Sequence, residues 1–195
     1  MVRMEDVMGK EVISSDAIIV GSVEGVSIDP DHWRIPALRV TVTKGLEMAV
    51  DKKKKKIGPS RVFVNTGAIN GVTDTITLGI SMADIKGALV AEILWPLNFG
   101  NLTGMRVICK KGRQIGYVDN LVFDPKDNWK INYIDVRLDR STKNDLNIKK
   151  KMMSGSSGIV IKTSDIRTIG DMVMLNIDID ELKQWLENRP ASLKS

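Results

Sequence analysis

The chain has 195 residues, 43% of them hydrophobic and 27% charged, which is the composition of an ordinary globular protein and excludes a low-complexity or fibrous chain. Its single cysteine, Cys109, excludes an internal disulfide framework, and no apolar run reaches the roughly 18 residues of a membrane-spanning helix. The net charge of +5 is unevenly placed: residues 1–97 balance 12 Lys/Arg against 12 Asp/Glu, while residues 98–195 hold 17 against 12, so an acidic partner is expected to approach the second half.

The opening Met-Val-Arg-Met-Glu-Asp lacks the apolar core of a signal peptide, and with one cysteine it suggests a cytoplasmic protein. Val2–Met8 reads as a lead-in with one helical turn, Lys10–Ser14 as a first strand and Asp16–Ile19 as a turn. Gly21–Pro30 (Gly-Ser-Val-Glu-Gly-Val-Ser-Ile-Asp-Pro) opens on a glycine expected to adopt unusual backbone angles. It then alternates apolar and polar residues, as a half-buried strand over Val20–Ile28 would, and closes on an Asp-Pro turn. Asp29–Pro36 is a loop carrying His32 and Trp33, and Ala37–Thr43 returns as the second arm of a hairpin. Lys44–Ser60 contains five consecutive lysines, Lys52–Lys56, whose mutual repulsion predicts a solvated loop.

Arg61–Asn65 is a further strand, Ile69 an apolar anchor and Asp74–Ile80 the last strand. About five short strands with almost no helix predict a small barrel, which leaves no bare edges. Ser81 and Asp84 are spaced like a capping box, and a helix is expected from there to about Leu94, before Pro96. Ile85, Ala88 and Leu89 would dock on the barrel. Val90, Ile93, Leu94 and Trp95 extend the apolar surface to other faces and are candidates for partner contact.

The second half repeats the first. Gly116–Pro125 (Gly-Tyr-Val-Asp-Asn-Leu-Val-Phe-Asp-Pro) lies 95 residues after Gly21–Pro30, and Gly104, Val107 and Ile108 match Gly9, Val12 and Ile13 at the same offset. After the turn Trp129, Ile131, Ile134, Val136 and Leu138 match Trp33, Ile35, Leu38, Val40 and Val42 at offset 96. Ile159, Ile161, Thr163, Ile166, Ile169, Asp171, Val173 and Leu175 then follow Val62, Val64, Thr66, Ile69, Val72, Asp74, Ile76 and Leu78 at offset 97. Single-residue drift confined to loops is what a duplicated domain shows. The fold expected is mainly β, two tandem small barrels each closed by a short C-terminal helix. Residues 1–95 form the first, 96–101 a linker, 102–190 the second and 191–195 a tail. Asp180–Asn188 is the closing helix of the second copy, and Gly170-Asp171 a tight turn.

One histidine and one cysteine give no metal spacing and no nucleophile–base pair. His32 reads as a surface residue, Cys109 as a core filler replacing Ser14, and Asp29 and Asp124 as turn formers. No phosphate loop or dinucleotide fingerprint is present. The chain is therefore expected to be no enzyme and to use no cofactor. Lys52, Lys53 and Lys54 map at offset 97 onto Lys149, Lys150 and Lys151. These basic runs suit a solvated loop, an acidic protein segment or nucleic acid phosphates. Aromatics make up only 5% of the chain and none interrupts either run, which disfavours base stacking and hence nucleic acid.

Three features seen twice resemble the PRC-barrel family: Gly9-Lys10-Glu11-Val12 with Gly104-Met105-Arg106-Val107, the two Gly…Asp-Pro decapeptides, and the closing run Thr163–Leu175 with its counterpart Thr66–Leu78. The first copy departs from that run in having Gly67-Ala68 for Ser-Asp and Thr73-Asp74 for Gly-Asp. The resemblance implies small six-stranded barrels that serve as docking modules. It is nearest to the archaeal cytoplasmic members that belong to FtsZ-based cell division. It implies a protein–protein adaptor that binds the membrane anchor SepF or another PRC-barrel protein, at the division site. The tandem arrangement departs from single-barrel members and could act as a fused dimer. The alternative it implies is a ribosome-maturation or RNA-associated factor like the PRC-barrel part of RimM, from which this chain departs in having two PRC-like halves.

Overall fold

The computed structural model describes residues 1–50, 60–91, 97–148 and 158–188. It is mainly β, with curled, barrel-like sheet and few, short helices among the described residues. Residues 1–100 with 123–131 form one compact unit, and residues 101–122 with 132–195 form another.

The first unit begins with β1 (Val2–Arg3) and a run of turns in which the Met8 N–H bonds the Met4 carbonyl at 3.1 Å, the i to i−4 spacing of the expected helical turn; Met4 and Val7 are buried there. The strands that follow are β2 (Glu11–Ile13), β3 (Ile19–Asp29) and β4 (Arg34–Val42). After β4 comes a one-turn helix, α1 (Glu47–Val50), inside the stretch expected to be loop. It forms there because Val50 is buried and Glu47 accepts the Gly45 N–H at 2.7 Å. Then come β5 (Arg61–Asn65), β6 (Ile69–Val72), β7 (Ile76–Leu78), β8 (Leu89–Val90) and β9 (Leu97–Asn98). The order across the sheet is β8-β5-β4-β3-β2-β7-β6, with β2 and β9 sharing one edge of β3 at its two ends. All neighbours are antiparallel except β2 and β7, which run parallel with Val12 opposite Ile76. Alternation along the strands places Val12, Val20, Val23, Ile35, Leu38, Val40, Val64 and Ile76 in the core.

The remaining elements are α2 (Phe99–Leu102), β10 (Arg106–Ile108), β11 (Gln114–Asp124), β12 (Lys130–Leu138), α3 (Arg140–Asp145), β13 (Gly158–Lys162), β14 (Ile166–Ile169), β15 (Val173–Leu175) and α4 (Ile179–Asn188); they make up the second unit apart from the start of α2, the end of β11 and the start of β12, which fall in the first. The order in the second unit is β13-β12-β11-β10-β15-β14. The pairing recurs residue by residue. Val107 opposes Gly116 as Val12 opposes Gly21, with the same bulge one residue on. Val107 runs parallel to Val173 as Val12 does to Ile76. Ile134 opposes Ile161 and Asp135 opposes Val160, as Leu38 opposes Val64 and Arg39 opposes Phe63. Short polar links recur too: the Thr66 hydroxyl donates to the Pro36 carbonyl at 3.1 Å, and that of Thr163 to the Asn132 carbonyl at 3.3 Å.

Gly21 and Gly116 are required for a reason other than the expected one. Neither takes a left-handed angle; among glycines at equivalent positions, Gly9 (φ +81) and Gly104 (φ +83) do. At Gly21 a β-carbon would lie 2.1 Å from the Thr41 carbonyl oxygen, and at Gly116 2.3 Å from that of Arg137. The demand is close approach of two backbones. A second left-handed pair is Trp33 (φ 48) and Trp129 (φ 56), at offset 96. Both lie in the first unit, where the Ile35 N–H donates to the Trp129 carbonyl at 3.0 Å and the Ile131 N–H to the Trp33 carbonyl at 2.7 Å. The indole of Trp129 stacks on Phe123, centroids 5.3 Å apart. These bonds and the stack hold two bulky residues in a conformation such side chains normally avoid.

The two helices expected to close the copies differ. In the second unit Asp178 caps α4: its Oδ1 accepts the N–H groups of Asp180 at 3.0 Å and Glu181 at 3.1 Å, and Glu181 reaches back to the Asp178 N–H at 2.8 Å. This is a complete capping box. The expected box at Ser81 and Asp84, 97 residues earlier, is not made. Asp84 is one methylene shorter than Glu and accepts from the Ser81 hydroxyl at 2.8 Å. Only a short 3₁₀ turn over Ile85–Ala88 follows, and Leu89–Val90 then run as β8 beside Phe63 and Val64. Gly87 and β-branched Val90 stand where α4 has Gln184 and Glu187, which are better helix formers. The expected linker is also structured from Leu97 onward, since Leu97 and Asn98 pair with Ile28 and Ser27.

Gly21→Ala and Gly116→Ala are each expected to lower unfolding free energy by about 1–3 kcal/mol, the cost of forcing atoms into a packed position. Urea titration measures this, and a variant within about 0.5 kcal/mol of the parent removes the close-approach explanation.

Candidate functional site

Most of the partner-contact residues expected from sequence, Lys52, Lys53, Lys54, Ile93, Leu94, Trp95, Lys149, Lys150 and Lys151, lie outside the described residues. Val90 is described. It is half-buried opposite Phe63, so it belongs to a strand that covers the edge of β5 and not to a helix face.

The described residues assemble three polar clusters. The first is the β3–β4 turn. The Asp29 side chain is 2% exposed, and its Oδ1 accepts the Asp31 and His32 N–H groups at 3.1 and 3.2 Å. Its Oδ2 meets His32 Nδ1 and Arg34 Nε, both at 3.0 Å. Burial is the largest influence on this carboxyl and pushes it up, but the bonds from Arg34 and from the His32 backbone and ring outweigh it and hold the group below the ordinary aspartate range. The His32 side chain itself is 71% exposed, in accord with a surface histidine. The equivalent Asp124 accepts the Lys126 N–H at 3.0 Å, so both aspartates form their turns.

The second cluster crosses three neighbouring strands. Glu24 of β3 accepts from Arg61 of β5 through both oxygens, at 2.6 and 2.8 Å, and from the Thr41 hydroxyl of β4 at 2.9 Å. Arg39 stands 3.9 Å away. The hydrogen bond from Arg61 is the main cause of the lowered Glu24 carboxyl. The equivalent positions at offsets 95–97 are Asp119, Arg137, Asp135 and Gly158; of the cluster the second unit keeps an Asp119–Arg137 pair at 3.9 Å and lacks the equivalent of Arg61. Sequence reasoning missed it; polar residues at the outward positions of β3, β4 and β5 were the available signal.

The third is a cleft of about 330 Å³ in the second unit, lined by Cys109, Lys111, Arg113, Asp145, Asp178 and Lys183 among others. Lys111 pairs with Asp178 at 2.8 Å, and Arg113 pairs with Asp145. Asp178 raises the Lys111 ammonium and is itself lowered chiefly by Lys111. Cys109 is buried among core residues, as its equivalence with buried Ser14 implies. No group of three or more His, Cys, Asp or Glu among the described residues could hold a metal ion, and no described helix is long and apolar enough to cross a membrane.

The sheet edges differ as well. In the first unit β5 is flanked on its outer side by β8. In the second, β13 pairs only with β12 among the described residues. The larger exposed apolar side chains are Met1, Ile18, Ile19 and Tyr117.

No protein-family model matches the chain, and no curated protein matches it. Among solved structures it is similar to a 16S ribosomal RNA processing protein, RimM, from Pseudomonas aeruginosa, at 12% identity. The match covers 84% of this chain and 98% of that one, with a TM-score of 0.30. At that score the likeness leaves function to the chain's own residues.

Because the folded Asp29 carboxyl is lowered, its hydrogen bonds contribute stability that is fully present above the ordinary aspartate value of about 4 and is lost as pH falls through the folded value. Asp29→Asn is expected to cost about 1–3 kcal/mol at neutral pH and to flatten the decline of stability below about pH 4. Urea midpoints measured from pH 7 down to pH 3 check both effects; an unchanged acid limb removes Asp29 as its source.

Proposed function

We propose that the chain is a non-catalytic adaptor built from two PRC-type barrels that hold a protein partner. The supporting observation is the recurrence of strand order, register and bulges at offsets 95–97, beside polar faces that recur only in part. A scaffold kept twice with different outward chemistry suits a protein that presents surfaces. The polar and reactive side chains that stood out in the sequence have structural roles: Asp29 and Asp124 in turns and Cys109 in the core.

The partner this reading favours is an acidic protein, drawn to the half that carries the excess of Lys and Arg. On the PRC-barrel resemblance, that partner is SepF-like or a second PRC-barrel protein at the division site of a cytoplasm. The same charge excess supports one other reading, an RNA-associated ribosome-maturation factor using Lys149, Lys150 and Lys151 on phosphates.

Affinity capture from native lysate with and without nuclease separates the two. The adaptor reading expects a partner retained after nuclease, with binding that changes modestly with salt. The RNA reading expects loss on nuclease, and a log–log salt slope of about −2 for three phosphate contacts to a single strand. Capture of RNA with that slope, abolished by replacing the three lysines, overturns the adaptor.

A further inference from the structure

We propose that the outer edge of β13 is a strand-addition site for an extended partner segment that reads acidic-apolar-apolar. The inference rests on the two-barrel reading, because the first unit supplies the template. There β5 carries β4 on one side and β8 on the other, antiparallel, with Phe63 opposite Val90 and Val64 opposite Leu89. The β4–β5 and β12–β13 registers are the same at offsets 96 and 97, so Val160 and Ile161 occupy the places of Phe63 and Val64.

The second unit has no such strand among its described residues, since the chain that would form it is α4. Leu186 and Glu187, the counterparts of Leu89 and Val90, are helical. The hydrogen bond from Val42 N–H to the Ser60 carbonyl fixes the parity of the template. Even-numbered residues of β5 bond toward β4, so the N–H and C=O of Phe63 face β8. By the same parity the N–H and C=O of Val160 face outward. The side chains of the neighbouring Ile159 and Ile161 are 3% and 1% exposed, so the strand is anchored while its edge lacks a partner strand among the described residues.

The occupant follows from the register. Residues opposite Val160 and Ile161 correspond to Val90 and Leu89, an apolar pair. One step further, Lys162 occupies the place of Asn65, and extending the Val64–Leu89 register by one residue sets the position of Ala88, the end of the 3₁₀ turn, across from it. An exposed Lys on an edge discourages pairing with an identical edge and favours an acidic residue across from it. Main-chain bonds supply affinity and the acidic and apolar positions supply specificity, as in other strand-addition complexes.

The test uses the full chain, isotopically labelled, and the peptide Lys86–Ala91 carrying Ala88→Glu. The proposal expects amide shifts on titration confined to Gly158–Lys162 and the facing part of β12, with slowed exchange of the Val160 N–H. Val160→Pro removes that outward donor while leaving the bonds to β12, and is expected to weaken binding about tenfold or more. Val160→Thr keeps the donor and is expected to bind like the parent. Three outcomes overturn the proposal: no shifts at this strand, equal binding by the Pro and Thr variants, or a Val160 amide already protected in the free chain. An experimental structure with different registers for β5 and β13 overturns the two-barrel reading itself. Matching registers without peptide binding overturn the docking site alone.

Discussion

Two backbones in near contact set the shape of each unit. Where β3 passes β4 at Gly21, the Thr41 carbonyl oxygen occupies the place of a side chain, and Gly116 meets Arg137 in the same way. Such an approach lets the long hairpin coil tightly instead of lying flat. The opposite edge of β3 then receives β2, with Val12 against Gly21, and β2 in turn receives β7 in parallel. The left-handed Gly9, whose N–H bonds the Val23 carbonyl at 2.9 Å, turns the chain into β2 beside that crossing. Strand order, bulge and core filling all follow from a position where no side chain fits.

Around this shared frame the outward chemistry diverges. Glu24, Arg39, Thr41 and Arg61 form a charged row in the first unit, while the second places Asp119, Asp135, Arg137 and Gly158 at those positions. Inward positions stay apolar in both, because exchanging them would open cavities or strand polar groups in the core. Outward positions are free of that constraint, and there the side chains of the two units differ.

The sequence made the strands legible because period-two alternation is a direct imprint of one buried face. Val23, Val26 and Ile28, or Val118 and Phe123, could hardly be read otherwise. The doubled pattern fixed matching positions to the residue. Three things were harder to see. A glycine needed for room looks the same as one needed for a left-handed turn. The spacing Ser-x-x-Asp looks like Asp-x-x-Glu, although only the longer acid reaches back to the cap N–H. A two-residue strand such as Leu89–Val90 has no period to detect and is specified by its neighbour Phe63–Val64. The Glu24 row was easily missed for a related reason: its members occupy outward strand positions but are distant in sequence and meet only through register.

The unlike endings of the two units bear on stoichiometry. If both closed with a strand like β8, each unit's margin would be covered by its own chain. If both closed with a helix like α4, a single molecule would offer two equivalent receptive margins and could bridge neighbours into an open-ended filament. On the strand-addition proposal, one ending of each kind would make the chain univalent through this margin. Association there would stop at a discrete complex, with a methylene at the cap and a few helix-forming side chains behind it setting that limit.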